Sequence, residues 1–168
     1  MSNNQCCRHF RLSIGLFFTL FLYLNIGFLS AEVLKGKVVV VKDGDTIVLL
    51  KNNRQYKIRL ASIDCPEKKQ AFGTQAKLYT SRLAFGKVVT AKVKTQDRYG
   101  RYVAEIILPD GRSLNRELVR NGFAWHYVRY SYDKSLAEIQ KSAQKNKLGL
   151  WIDRNPIPPW EFRRQKRK

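Results

Sequence analysis

Cysteine is almost missing from this chain of 168 residues, which holds only three. Cys6 and Cys7 stand ahead of a long apolar run and would leave with it if that run is removed; Cys65 is then alone. A single cysteine excludes an intrachain disulfide from the remainder. A lipoprotein cysteine would follow such a run rather than precede it. Histidine is as scarce, with His126 the only one beyond the run. A thiol nucleophile needs a base beside it, and nothing in the sequence ties His126 to Cys65. Acidic residues are few, 13 Asp+Glu against 32 Lys+Arg, for a formal charge of +19. Such an excess repels itself and implies a polyanionic partner, nucleic acid first and an anionic membrane or cell-wall polymer second. Internal repeats are absent as well.

What is present begins with the apolar run at residues 12–29, broken only by Ser13, Gly15, Thr19, Asn25 and Gly27. Arg8 and Arg11 precede it, and the small residues Ser30 and Ala31 follow. A basic flank, an apolar core and small residues read as a secretory signal cut after Ala31. The run is long for a signal, so the alternative is an uncleaved anchor with its basic end cytoplasmic. Either way the protein is expected to be secreted or periplasmic, touching a membrane only through residues 12–29 if they are kept. The sequence thus divides into a signal or anchor at 1–31, a domain at 32–152, and a proline-rich then basic tail at 153–168. Losing Arg8 and Arg11 leaves the remainder at +17.

Within the domain, a β-branched run at 34–41 and a second apolar run at 46–50 are joined through Asp43-Gly44-Asp45, the pattern of a hairpin. Asn52-Asn53 marks the next turn and 55–63 a third strand. Residues 73–85 read as a helix, with Ala76, Tyr79 and Leu83 at helical spacing and Gly86 ending it. Strands at 87–94 and 102–108 follow, separated by the polar turn 95–101 and closed by Pro109-Asp110-Gly111. Two helices, 114–121 and 135–148, complete the domain; 155–160 reads as extended and proline-stiffened. The fold class is α+β, mainly β: a five-stranded OB-type barrel with one inserted helix and two C-terminal helices.

Four of the 13 acids, Asp43, Asp45, Asp64 and Glu67, fall in two short stretches flanking neighbouring strands. Arg59 lies on the third strand with its side chain away from the core, and Pro66 stops that strand. Carboxylates held together repel, so they call for a cation, and hard oxygen ligands favour Ca²⁺ or Mg²⁺. Arg59 and Arg101 offer bidentate donors to a phosphate and to the charge it gains in reaction. Glu67 remains to deprotonate water. The assembled chemistry is metal-assisted hydrolysis of a phosphodiester.

The segments Asp43-Gly44-Asp45-Thr46, Ile58-Arg59-Leu60, Ile63-Asp64-Cys65-Pro66-Glu67 and Asp97-Arg98-Tyr99-Gly100-Arg101 resemble the thermonuclease (staphylococcal nuclease) family. Leu118-Val119-Arg120-Asn121-Gly122-Phe123-Ala124 and Lys147-Leu148-Gly149-Leu150-Trp151 are similar to its later helical segments, so the resemblance spans residues 35–151. It implies a Ca²⁺-dependent endonuclease that acts on DNA and RNA, single-stranded or frayed for preference, and leaves 3′-phosphate ends. It implies no organic cofactor and a monomer. By position, Arg59, Glu67 and Arg101 match the catalytic residues, and Asp45 and Asp64 the calcium carboxylates. Cys65 stands where a threonine lends its backbone carbonyl to the metal. Asp43, Thr46, Asp97, Arg98 and Tyr99 border these positions. The sequence departs from the family after Ala124: of two nucleotide-contacting tyrosines, Val128 takes the first position and Tyr130 the second, with Tyr127 one residue early.

Two other readings fit the same residues. Asp45, Glu67 and Lys69 satisfy the loose Asp…Glu-x-Lys pattern of Mg²⁺-dependent nucleases. A non-catalytic OB module could bind nucleic acid through charge alone.

Overall fold

The computed structural model describes residues 32–165; the apolar run and the last three residues lie outside them. Among the described residues no helix is long and apolar enough to cross a membrane. Strand β1 (Val33–Asp43) buries Leu34, Gly36 and Val38 at the two-residue period of a strand, and a register shift after Val38 turns Val41 inward. It pairs with β2 (Thr46–Lys51) so that Asp43 faces Thr46 and only Gly44 and Asp45 form the loop. The next turn is made by Asn52 and Asn53 at φ 48° and 58°. Two successive positive φ values suit the right-handed twist of a hairpin, and asparagine tolerates them. The turn leads into β3 (Arg54–Leu60).

The third strand ends earlier than its alternation suggests. It stops at Leu60; Ser62 turns the chain at φ 67°, and Ile63–Asp64 starts a separate strand, β4. The reason lies in Arg59, whose Nη1 donates to the carbonyl oxygens of Leu60 and Ile63, both at 3.0 Å. The backbone wraps its own guanidinium instead of continuing straight.

Helix α1 (Gly73–Ala84), β5 (Val88–Gln96), β6 (Tyr102–Ile107) and α2 (Leu114–Arg120) follow, close to the predicted ranges. Ser113 caps α2 by accepting from the Arg116 N–H. Strand β7 (Trp125–His126) pairs with β4, and a single 3₁₀ turn at Val128–Tyr130 precedes α3 (Lys134–Lys145). Asp133 caps α3 through the Leu136 N–H. A second 3₁₀ turn at Gly149–Ile152 leads toward α4 (Pro159–Gln165).

The barrel closes in the order β1-β2-β3-β6-β5, with β5 returning to β1. All its pairings are antiparallel except β3 with β6. This is the expected OB-type barrel, with α1 inserted before β5. Val38, Ile47, Leu49, Ile58, Leu60, Val89, Ala91 and Ile106 fill it, and Leu114, Leu118 and Val119 of α2 extend the same core. Each fully buried aliphatic side chain contributes about 1.5–3 kcal/mol. Asn115 pins α2 to the barrel: its Nδ2 donates to Ala61 and Ala104 carbonyls (2.9 and 3.3 Å), and its Oδ1 accepts from Ile106 N–H at 3.0 Å.

The C-terminal segment differs from its sequence reading. Instead of remaining extended into a basic tail, residues 159–165 are helical. Pro159 sits at the first helical position, where its fixed φ and missing donor cost nothing. Trp160 stacks on Tyr127 with ring centroids 5.1 Å apart and planes within 2°, and meets Trp125 edge-on at 5.7 Å.

Candidate active site

The β1–β2 loop presents Asp45 to the chain that leaves β3. Its Oδ2 accepts from the Cys65 N–H at 2.8 Å, its Oδ1 from the Thr46 hydroxyl at 3.1 Å, and its carbonyl from Leu60 N–H at 2.8 Å. Gly44 has no room for a side chain, since a Cβ there would lie 2.9 Å from Ala76 Cβ and from Cys65 Sγ. Its carbonyl takes the Thr80 hydroxyl of α1 at 2.5 Å. The loop is therefore locked between α1 and the Cys65 turn.

Arg59 joins the two buried aspartates. Its Nη1 lies 3.1 Å from Asp45 Oδ2 and its Nη2 donates to Asp64 Oδ1 at 2.7 Å. The Asp64 side chain is only 1% exposed. Arg59 does point away from the core, as alternation requires, yet it is sealed in by the turn around it rather than solvated. Glu67, just past Pro66, is held through its backbone: its N–H donates to Gln70 Oε1 at 3.1 Å, and its carbonyl accepts from Gln70 N–H at 2.8 Å. Gly73 opens α1 directly against that carbonyl, and a Cβ there would overlap it. Gln70 in turn donates to the Ile157 carbonyl at 2.6 Å, tying this loop to the C-terminal segment.

That segment supplies a residue that sequence reasoning missed. Arg163 on α4 donates through Nη2 to Asp64 Oδ2 at 2.7 Å, and through Nη1 to Glu67 Oε1 at 2.7 Å and Asp64 Oδ1 at 3.3 Å. A proline followed two residues on by an acid, in Pro159-Trp160-Glu161, is a helix-start signal that could have flagged the segment. Nothing local says where that helix docks.

Charge in this group is tightly coupled. Burial, then the neighbouring carboxylates of Asp45 and Glu67, hold Asp43 above the ordinary carboxylate value. Burial also raises Asp64, although Arg163 and Arg59 pull against it. Burial disfavours the charge on Arg59, but Asp45 and Asp64 more than offset this and raise it. Arg163 is likewise opposed by burial and raised by its bonds to Asp64 and Glu67. Burial and the adjacent Asp45 push the Cys65 thiol well up. It stays protonated and cannot act as a thiolate.

The remaining predicted residues form two separate groups. Asp97 accepts from the Tyr99 and Arg101 N–H groups at 2.9 and 3.0 Å, and its Oδ2 pairs with Arg101 Nε at 2.7 Å. Burial works against the Asp97 charge, but these bonds outweigh it and hold its carboxyl below the usual value. Arg98 donates to the Tyr99 hydroxyl at 2.7 Å, and the Tyr99 ring lies under the Arg98 and Arg101 guanidiniums at 4.9 and 5.6 Å. Arg101 makes no hydrogen bond or ion pair with Asp45, Arg59, Asp64 or Glu67 among the described residues. Register brings its turn near them: Arg59 faces Val103, and Arg101 directly precedes β6, which begins at Tyr102. Tyr127 is spent on its stack with Trp160, while Tyr130 meets its edge at 4.8 Å and stays 69% exposed.

The acidic group offers oxygen donors only, from Asp45, Asp64, Glu67 and nearby carbonyls, which suits a hard divalent cation. Among the described residues no three His, Cys, Asp or Glu side chains form a metal site by themselves. A cation here would draw on two carboxylates, with a backbone carbonyl and water completing its shell.

The sequence model described as Staphylococcal nuclease homologue matches residues 57–153, which include Arg59, Asp64, Glu67 and Arg101 and the second 3₁₀ turn. An uncharacterized endonuclease of Escherichia coli is 43% identical over 131 residues, covering 78% of this chain and 86% of its own. Another from Haemophilus influenzae is 43% identical over 132 residues, covering 78% and 74%. A micrococcal nuclease of Shigella flexneri is 39% identical over 140 residues, covering 77% and 80%. With its barrel, its acidic loop and these matches over most of its length, the chain belongs to the staphylococcal nuclease family.

Proposed function

We propose that the protein is a Ca²⁺-dependent endonuclease that hydrolyses phosphodiester bonds of DNA and RNA and leaves 3′-phosphate ends. One observation carries this reading: Arg59 bridges Asp45 and Asp64 at one end of the barrel, with Glu67 beside them. The printed names of the relatives, endonuclease and micrococcal nuclease, support it. So does the formal charge of +19, with four of only 13 acids gathered at this one place.

In this reading Glu67 accepts a proton from water, whose oxygen bonds to phosphorus. The bond from phosphorus to the 5′ oxygen breaks, and that oxygen takes a proton from solvent. Arg59, and Arg101 from the turn before β6, donate to the phosphate oxygens as negative charge grows on them. Asp45, Asp64 and the Cys65 carbonyl would hold Ca²⁺, which when bound supplies positive charge to the phosphate. The apolar run and its basic flank support export, as a secreted or periplasmic enzyme.

The test is cleavage of single-stranded DNA and RNA by the purified protein with Ca²⁺, Mg²⁺ or chelator, with the product ends identified. Calcium-dependent 3′-phosphate ends are expected, and Glu67→Gln should lower kcat by about two orders of magnitude or more. Magnesium-dependent 5′-phosphate ends would instead favour the grouping of Asp45, Glu67 and Lys69. Binding without cleavage under every condition would leave a nucleic-acid-binding module.

A further inference from the structure

Two guanidiniums and three carboxylates alternate through this site: Asp45, Arg59, Asp64, Arg163, Glu67. Arg59 comes from the barrel and holds Asp45 to Asp64. Arg163 comes from α4, 96 residues beyond Glu67 in the chain, and holds Asp64 to Glu67. The two halves of the group differ in what else restrains them. Asp45 and Asp64 are buried and share Arg59, and Asp45 also accepts from the Cys65 N–H. The Glu67 side chain is 40% exposed, and its backbone bonds to Gln70 fix where the residue sits but not where its carboxylate points. Among the described residues its hydrogen-bond partner is Arg163. Without that partner, Glu67 and Asp64 would repel, and a glutamate has rotamers enough to swing into solvent.

We propose that Arg163 is a positioning residue of the active site: its planar fork spans Asp64 and Glu67 and sets the direction of the Glu67 carboxylate, so that α4 is part of the catalytic apparatus. The inference rests on the reading of Glu67 as the base. An arginine suits the task because one rigid fork can reach both carboxylates, which the point charge of a lysine cannot. The helix that carries it is anchored for this purpose. Trp160 stacks on Tyr127, Pro159 is buried, and the Gln70–Ile157 bond ties the Glu67 loop to the chain entering α4. The same anchors explain why Tyr127 is unavailable as a platform for a base.

The test uses the full chain and single-stranded DNA cleavage with saturating Ca²⁺. Arg163→Ala should lower kcat about 10- to 100-fold, the scale of losing a residue that orients a site group, with KM little changed. Arg163→Lys keeps a cation to hold α4 down and should recover only part of kcat, so its loss cannot come from unfolding. Combining Arg163→Ala with Glu67→Gln should be no worse than Glu67→Gln alone, because the arginine acts through Glu67. If Arg163→Ala leaves kcat unchanged while Glu67→Gln abolishes it, the inference fails and the catalytic reading stands. If Arg163→Ala raises activity or lowers the Ca²⁺ needed, α4 is an inhibitory cap and the positioning role is wrong. If Glu67→Gln itself retains full activity, the catalytic reading fails first.

Discussion

Arg59 shows how one side chain can serve both the fold and the chemistry. It satisfies two buried carboxylates and bends the chain out of β3, so its removal acts on stability as well as activity. Arg59→Ala leaves the buried Asp45 without its ion-pair partner and Asp64 with Arg163 alone, and breaking such a buried pair costs about 3–5 kcal/mol. Urea denaturation should show this loss, and cleavage should fall beyond detection in the folded fraction. Cys65 is the opposite case. Its N–H holds Asp45, but its buried, protonated thiol takes no part in the chemistry. Iodoacetamide should neither label Cys65 in the native protein nor inhibit cleavage, and labelling of Cys65 should appear once denaturant unfolds the chain. Both side chains were visible as candidates in the sequence, but only burial separates their roles.

At the scale of elements, the site depends on how closely loops approach helices. Gly73 begins α1 against the Glu67 carbonyl. Gly73→Ala must push the loop that carries the base, so kcat should fall on the order of 10²-fold, the effect of misplacing a catalytic group by about 1 Å. Far-UV circular dichroism should show the helix intact. Helix α3 carries a test of charge at its cap. Bonds from Ser135 first, then burial acting in the opposite sense, the Leu136 N–H and Arg116 leave Asp133 below the ordinary carboxylate value of 3.8. The folded state therefore releases this proton more readily than the unfolded chain, so the stabilisation is complete above the unfolded value and is lost as pH falls through the folded one. Asp133→Ala should cost about 1 kcal/mol at neutral pH, and the difference from the unaltered protein should shrink as pH drops below 3.8. Thermal unfolding across that range measures it. The five barrel strands and α1 to α3 were legible because hydrophobic period and turn residues are local signals; the two-residue strands β4 and β7 were not. The early end of β3 was not, because the guanidinium that bends it closes contacts across several residues. Helix α4 was missed because seven residues of mixed polarity carry little periodicity, and its stability comes from Trp160 and Arg163 reaching distant partners.

For the whole molecule, charge sets how it meets its substrate. A chain at +19, with 32 Lys+Arg against 13 Asp+Glu, should bind nucleic acid largely through phosphates. Counterion release then makes log K fall linearly with log salt, at a slope of about −0.7 per phosphate contact on single strands. KM for DNA should climb steeply with KCl while kcat at saturation changes little. A flat salt response would mean that the positive surface does not face the substrate. The barrel itself supplies the geometry on which this depends. Parallel pairing of β3 with β6 sets Arg59 opposite Val103, close to the turn bearing Arg101, a relation between residues 42 positions apart in the chain.

The sequence alone determined the barrel, the inserted helix, the acidic turn residues and the two arginines, because alternation, turn chemistry and motif spacing are written in neighbouring residues. Only tertiary structure decided that Arg59 is sealed between two aspartates, that Arg101 pairs with Asp97 apart from them, and that Arg163 joins Asp64 to Glu67. Burial and long-range approach fix which charges meet, and neither can be read from the order of residues along the chain.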